Sequence, residues 1–559
     1  MDGVPRVPGP LPAAACRAPR PRVVVTGLGA VTPLGLGAEV LWQGLLEGRS
    51  GVRPLEGEEF ADQPVRIAAA VPVDPAELLP KPQARRMNRA AQFAVLAARE
   101  AWRDAGFAPS GTAASGIAAE RVGVSLGTII GGARVLVDGD RRLRDKGPRA
   151  MSPLTAPMTV PSQAAAQVSL DLRITGEART IVSACASGTE AIGQAIDRIR
   201  QGHVDVVLAG GAEATITPAV MASFAAMRAL STRNDEPAEA SRPFAKDRDG
   251  FVHGEGAGVL VLELEEHARA RGARIYCEAA GWGLSADAHH LAAPDPSGDG
   301  VVLALHRALA DAGSGPADVV HINAHATATR EGDLAEAVAL LRLLDERPAD
   351  APDVPVTAVK GNLGHLQGAA GAVEAVVAAL TLHHGRIPPT RGCEVIDAAC
   401  PLDVVTRTPR PLSPSGDIVL SNSFGFGGHN AVLALRRAGA GPLSAEGTGT
   451  GRPGGEGTGT GPLGSAGTET GRPGGEGTES DSLGTGGPGT GPLGTHGPGT
   501  EGLGADRLAD LAHELADVVY TAYRTALSYG IDLDAVMAEA HRAPDSEAGS
   551  EAGSAPGSA

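Results

Sequence analysis

The residues RTIVSACASGTEAIGQAIDRIRQG (179–202), continued by VDVVLAGG (204–211), read as strand, sharp turn, helix and strand. Thr180, Ile181 and Val182 are β-branched, and the small residues Ala184, Ala186, Ser187 and Gly188 let the chain turn tightly. Ile192, Ala195, Ile196 and Ile199 recur at helical spacing and mark one buried face. From Val206 to Gly211 no polar side chain alternates with the apolar ones, so that strand is covered on both faces, as in a parallel sheet. Cys185 falls at the end of the first strand, just before the helix. The partial positive charge of a helix N-terminus favours a thiolate, so this placement predicts a lowered thiol pKa. The small neighbours leave room for a substrate carbonyl. A buried structural cysteine is the competing reading of Cys185 taken alone.

Outward from this unit the same alternation continues. RVVVTG (22–27), VVHINAH (319–325) and DIVLSNS (417–423) are short apolar runs bounded by small residues, separated by helical patterns. They define an α/β fold over residues 22–437. GLGAVT (27–32) offers two glycines after a strand, but Thr32 stands where a dinucleotide fingerprint needs its third glycine. It reads as a tight turn, and no organic cofactor is called for.

Composition bounds the rest. The chain has 559 residues, 42% hydrophobic and 20% charged, with a net charge of −17. Residues 441–559 carry 17 acidic and 5 basic side chains, so most of that excess lies in the C-terminal fifth. An acidic chain lacks the footprint of a general nucleic-acid binder. No uncharged run free of proline is long enough to span a bilayer. Five scattered cysteines without a CxxC pair suit a reducing cytoplasm better than a disulfide framework or a zinc site. Residues 1–21 hold prolines and arginines without an apolar core, and read as a disordered tail rather than a secretory signal.

At 438–504 the character changes. Within 441–504, 25 of 64 residues are glycine, and the octamer GRPGGEGT occurs at 451–458 and again at 471–478. Such a segment cannot bury enough apolar area to offset its ordering entropy, so it reads as a linker. Asp481-Ser482-Leu483 inside it spells a carrier-protein attachment triplet, but no helical period flanks it. Residues 505–543 place Leu508, Leu511, Leu515, Val518 and Ala522 on one helical stripe, and 544–559 reads as a second disordered tail.

Three further segments carry chemistry. INAHATATREGD (322–333) puts His325 just past a strand, with Thr327 and Thr329 beside it. VKGNLGHLQGAAGAVEAVVAAL (359–380) puts Lys360 and His365 in a Gly-rich loop before a helix bearing Glu374. SNSFGFGGHN (421–430) is a glycine-rich turn holding Phe424 and Phe426. One cysteine and two histidines at separate strand-to-loop junctions suit a cysteine nucleophile with imidazole donors. A two-His, one-Cys metal site is the alternative; no paired spacing or carboxylate ligand supports it.

Taken together, VTGLGAVTPLG, SACASGTEAIG, RALSTRNDEPAEASRPFAKDRDGFVHGEGAG, NAHATAT, KGNLGHLQGAAGAVEA and NSFGFGGHN resemble the β-ketoacyl-acyl carrier protein synthases, nearest the long-chain elongating branch. The resemblance spans residues 22–437 in unbroken order. It implies a thiolase-like αβαβα five-layer sandwich of two similar halves, 22–268 and 269–437, assembled as a homodimer. It also implies decarboxylative condensation of an acyl thioester with malonyl-acyl carrier protein, in fatty-acid or polyketide synthesis, without cofactor or metal. Cys185 would accept the acyl group, His325 and His365 would act on the malonyl group, and Lys360 would support them, held by Glu374. Phe424 resembles the gating phenylalanine whose backbone N–H shares the oxyanion hole with that of Cys185. Thr327 and Thr329 match contacts to the phosphopantetheine arm, with Phe426 beside the substrate, and Ile130 in GTIIGG matches an acyl-pocket wall. Ala326 and Ala328 depart from the commoner glycine and serine, but both are small.

A thiolase-type degradative enzyme would carry a second cysteine at the C-terminal glycine-rich turn, which has none. A non-catalytic chain-length subunit would lack Cys185. Of the basic cluster KPQARRMNR (81–89), Arg85 and Arg86, together with Arg228, are expected to dock the acidic carrier protein. HELAD (513–517) and YGIDLDAVMAEAHRA (529–543) resemble the end of the MazG-like all-α nucleotide pyrophosphohydrolases. Glu514 and Asp517 match an ExxD magnesium motif, but the upstream carboxylate pair is missing, so the segment reads as a remnant.

Overall fold

Strand β1 (Val23–Thr32) is buried along its whole length, and it begins a succession of elements that the chain runs through twice. In a computed structural model, which describes residues 20–439, the first half continues with α1 (Arg89–Asp104), β2 (Val122–Gly127), α2 (Gln163–Leu172), β3 (Glu177–Ile181), α3 (Ser187–Arg200), β4 (Val206–Glu213) and β5 (Gly256–Leu264). The second half repeats it as β6 (Cys277–Ala286), α4 (Asp299–Ala312), β7 (Val319–Asn323), α5 (Arg330–Leu344), β8 (Val356–Thr357), α6 (Ala370–His384), β9 (Ile418–Gly425) and β10 (His429–Arg437).

The strand orders match as well. The first sheet runs β1-β5-β4-β2-β3 and the second β6-β10-β9-β7-β8. In each, the two strands farthest along the path are parallel to their neighbours and the remaining pairs are antiparallel. A short antiparallel contact of β1 with β6, Val24 opposite Glu278 and Val25 opposite Cys277, joins the two sheets.

Helices α3 and α6 pack between the sheets, α1 and α2 cover the outer face of the first, and α4 and α5 that of the second. This is the five-layer αβαβα sandwich that the resemblance implied. The middle layer is the driest: every residue of α6 from Ala370 to Leu382 is buried, which requires an apolar helix with no solvent face. It also requires small residues where the helices approach. A Cβ on Gly371 would lie 1.9 Å from Thr189 Oγ1, and one on Gly188 would lie 2.9 Å from the Ala372 nitrogen. GTEAIG and AAGAVEA are therefore packing motifs as much as catalytic ones.

The two tails, the linker, the Asp481-Ser482-Leu483 triplet and the 505–543 segment lie outside the described residues, apart from Arg20, Pro21, Ala438 and Gly439. No described helix is long and apolar enough to cross a membrane.

Candidate active site

The parallel strands aim their carboxyl ends at one place, where a cleft is expected in an α/β sheet. Cys185 follows β3, His325 follows β7, and Lys360 and His365 follow β8. Phe424 is the penultimate residue of β9, with Phe426 just past the strand. A cavity of about 680 Å³ opens there, lined by Cys185, His325, His365, Thr327, Phe424 and Phe426 among others.

Cys185 sits in a strained elbow. Ala184 has φ 50°, a left-handed value that a side chain disfavours. Ser187 ties the turn, its hydroxyl donating to the Ala184 carbonyl at 2.6 Å and accepting the Ser183 N–H at 2.9 Å. The sulfur faces His365 Nε2 at 3.0 Å and Gln367 Oε1 at 3.8 Å. Burial pushes the thiol up to about 11, against the pull of Lys360 and of the Phe426 N–H. The lowered value expected from the helix terminus is thus corrected. The N–H groups of Ala186 and Ser187 are already spent on the carbonyls of Ser183 and Ala184, both at 3.1 Å, and burial outweighs what remains of the dipole.

The two imidazoles stand edge to face, 5.4 Å between centroids. Both are held well below the usual histidine range, by burial first and by the Lys360 charge second, so both are neutral near pH 7. Lys360 Nζ lies 3.3 Å from His325 Nδ1. An ammonium only donates, so Nδ1 accepts and the His325 proton sits on Nε2, facing away from the lysine. On its other side Lys360 is paired with Glu374. Burial pushes the Glu374 carboxyl up to about 7, opposed by that same lysine.

Glu336, on α5, went unnoticed in the sequence. Its carboxylate accepts the N–H of His325 at 2.9 Å and of Ala326 at 2.7 Å, and the Asn422 amide at 3.1 Å. It fixes the loop that carries His325. Only its place eleven residues after His325, on the helix that follows, could have signalled it. Gln367 and His253 were likewise missed; both are buried polar residues inside motifs read for other members.

One expectation changes on placement, and a second residue lies apart from this cavity. The amide that bonds the Cys185 sulfur is that of Phe426, not Phe424. Phe424 remains in the β9 ladder opposite Asn430, with its ring 5.7 Å from that of His325. The ladder occupies the backbone there, and only beyond Gly425 is the chain free to turn toward sulfur. Ile130 does not line the cavity. Its side chain is 40% exposed, and its loop is pinned inward by Glu213, which accepts the Ile129 N–H at 2.6 Å. Thr327 and Thr329 both line the cavity, their hydroxyls 3.1 Å apart. Arg228 lines it too, while Arg85 and Arg86 stand exposed elsewhere on the surface. Arg89 is held in a bidentate pair with Glu255.

Among the described residues no group of three or more His, Cys, Asp or Glu side chains is arranged to hold a metal ion.

Comparison with known proteins agrees with this frame. Residues 20–268 match the beta-ketoacyl synthase N-terminal domain and 276–394 its C-terminal domain. The chain is 43% identical over 417 residues to 3-oxoacyl-[acyl-carrier-protein] synthase 2 of Synechocystis sp., covering 74% of this chain and 98% of that protein. It is 41% identical over 417 residues to the enzyme of the same name from Staphylococcus aureus, with the same coverage. Among solved structures, the ishigamide ketosynthase/chain length factor aligns with TM-score 0.68 at 37% identity, over 75% of this chain and all of that one. A ketosynthase in complex with a type II polyketide acyl-carrier protein aligns with TM-score 0.68 at 32% identity, with the same coverage. Duplicated sandwich and cysteine-imidazole site together define an acyl-transferring condensing enzyme. The chain belongs to the β-ketoacyl synthase family. Its C-terminal part, residues 474–544, matches phosphoribosyl-ATP pyrophosphohydrolase, and the match begins inside the glycine-rich stretch.

Proposed function

We propose that Cys185 accepts an acyl group from a carrier thioester and that the enzyme joins it to malonyl-acyl carrier protein with loss of carbon dioxide. The observation that carries this reading is the convergence of one thiol and two neutral imidazoles on a single cavity, with Lys360 setting the tautomer of one of them. In loading, the sulfur attacks the thioester carbonyl and the thiol proton leaves with the departing carrier thiol. The N–H groups of Cys185 and Phe426 receive the oxyanion.

In the second stage, cleavage of the malonyl carbon–carboxylate bond releases carbon dioxide and leaves an enolate. Its oxygen accepts from the Nε2–H groups of His325 and His365, each worth about 3–4 kcal/mol by analogy with oxyanion-hole donors. The enolate carbon attacks the acyl carbonyl, the carbon–sulfur bond breaks, and the sulfur regains a proton. Neutral imidazoles suit this step, because an imidazolium would be costly to hold beside Lys360 in a buried site.

The phosphopantetheine arm runs past Thr327 and Thr329, and Phe426, 37% exposed at the mouth, is placed to gate it. Arg85, Arg86 and Arg228 dock the carrier protein; none has an ion-pair partner among the described residues, which leaves their charge for a ligand. A homodimer is supported by β3, which ends the sheet with one edge unpaired among the described residues, a standing invitation to strand pairing. A reducing cytoplasmic setting is supported by four buried free cysteines. The experiment is release of carbon dioxide and formation of a 3-oxoacyl thioester from acyl- and malonyl-carrier protein. Condensation absent in the presence of both substrates overturns the reading.

A further inference from the structure

Two buried polar side chains beside the nucleophile have no part in the scheme above. Gln367 lies two residues beyond His365 and is 3% exposed; His253 is fully buried. The segments that carry them are stitched together by the backbone. The His365 N–H donates to the Val252 carbonyl at 2.7 Å, and the Gly254 N–H to the His365 carbonyl at 2.9 Å. Gln367 holds φ 53°, a left-handed value for a residue with a side chain, so its placement is imposed by surroundings that over-determine it.

The hydrogen bonds between them have a direction. His253 donates to the backbone carbonyl of Thr215, and its Nε2 also lies 3.0 Å from the Thr215 hydroxyl. The proton is therefore on Nε2, and Nδ1 keeps a lone pair. That lone pair faces Gln367 Nε2 at 3.1 Å, an amide nitrogen that can only donate. The amide is thereby oriented, and its oxygen turns to the Cys185 sulfur at 3.8 Å. Phe224 and Phe251 pack near the His253 ring, with centroids 5.5 and 6.4 Å away, and keep the arrangement dry.

We propose that His253 is a positioning residue that orients Gln367, and that Gln367 Oε1 accepts the S–H of Cys185 and holds the free nucleophile in its thiol form. The inference rests on Cys185 being the acyl acceptor. A carbonyl oxygen offers only lone pairs, so it binds a thiol and repels a thiolate. Every other close polar group pulls the other way or is more distant. The Phe426 N–H donates to sulfur and Lys360 attracts the anion, and His365 Nε2, 3.0 Å from sulfur, donates there in the Nε2–H tautomer that the enolate step uses. Glu213 disfavours the anion through space, and His325 stands behind His365, neutral. The thiol proton is thus held on the side away from the two donors, and loading transfers it to the departing carrier thiol.

The test is the pH dependence of Cys185 alkylation by iodoacetamide in the full-length enzyme, with the modified residue assigned by mass spectrometry. Gln367→Met keeps the bulk and removes the oxygen. His253→Leu frees the amide to turn its N–H toward sulfur. Both are expected to shift the profile to lower pH by about 0.5–1 unit, which is about three- to tenfold faster alkylation at a fixed pH below the midpoint. Gln367→Glu is expected to shift it the other way. The double variant Gln367→Met with His253→Leu should move no further than Gln367→Met, since His253 acts only through Gln367. A folded Gln367→Met with the wild-type profile overturns the proposal. So does a His253→Leu that melts earlier yet leaves the profile in place. Alkylation needs no carrier substrate, so these shifts can appear even if carbon dioxide release fails; that pattern would overturn the functional reading and keep the pair.

Discussion

Cys185 and His365 occupy equivalent places in the two halves of the fold, and His365 Nε2 lies 3.0 Å from the Cys185 sulfur. Cys185 lies between β3 and α3, as His365 lies between β8 and α6. Because α3 and α6 pack against each other in the middle layer, their N-terminal turns meet, and duplication of one supersecondary unit brings nucleophile and imidazole together. Cys185→Ala is expected to abolish both acyl loading and condensation. Cys277, Cys393 and Cys400 are each at most 2% exposed, so iodoacetamide should label Cys185 alone among them. With burial holding its thiol up at about 11, the thiolate fraction is small at neutral pH and grows about tenfold per unit. The labelling rate should therefore still be climbing at pH 9. A plateau below pH 8 would show that the helix terminus prevails over burial after all.

Lys360 gives a second prediction. Lys360→Ala removes the donor to His325 Nδ1, frees that imidazole to change tautomer, and leaves Glu374 buried without its cation. Decarboxylation should fall by a hundredfold or more, in the range of a lost oxyanion donor, while transfer of a labelled acyl group to Cys185 falls much less. Equal losses in the two half-reactions would make Lys360 a structural residue only.

The meeting of Cys185, His325, His365 and Lys360 was legible in the sequence because each lies in a short local motif at a strand end. The duplication was legible only through the family resemblance: VPVTA (354–358) and RTIVS share no residue pattern, and strand order is what reveals that their successors correspond. The backbone amide that meets the Cys185 sulfur is two residues beyond the one expected, because Phe424 and Phe426 flank one glycine and the ladder register decides which backbone is free. The thiol pKa was misjudged because helix position is visible in a sequence while desolvation is not. Glu336 and the His253–Gln367 pair escaped because their partners are distant in the chain or concealed within motifs already assigned.

The edge strand β3 supplies a third prediction. Val182, which follows it directly, is 57% exposed, unusual for a β-branched residue at the end of a sheet strand. Val182→Arg should convert a dimer to a monomer in light scattering, through the cost of a charge at a strand-paired interface. An unchanged mass would place the dimer contact elsewhere.

Charge reversal at Arg85, Arg86 or Arg228 should raise the KM for carrier-bound substrate and spare small acyl thioesters. Wild-type activity with carrier protein should weaken as salt rises, since screening acts over about 8–10 Å at moderate ionic strength. Kinetics indifferent to salt would remove the electrostatic docking.

The C-terminal match to a pyrophosphohydrolase bears on the last prediction. Every strand and helix that builds the sandwich lies between Val23 and Arg437, so a chain ending at Gly439 should fold and condense as the full-length enzyme does. Glu514 and Asp517 satisfy half of a magnesium motif. Two carboxylates leave most of an octahedral coordination sphere to water and cannot hold a polyphosphate in register, and the acidic residues upstream, Glu476, Glu479 and Asp481, stand in a glycine-rich composition that disfavours a helix to present them. The full-length protein alone should therefore release no pyrophosphate from a nucleoside triphosphate or from phosphoribosyl-ATP with magnesium. The stripe through Leu508, Leu511 and Leu515 still calls for an apolar partner, and a second polypeptide that supplied the missing carboxylates would restore the motif in trans. Magnesium-dependent pyrophosphate release by the pure protein, lost in Glu514→Gln, would show instead that this segment is a hydrolase in its own right.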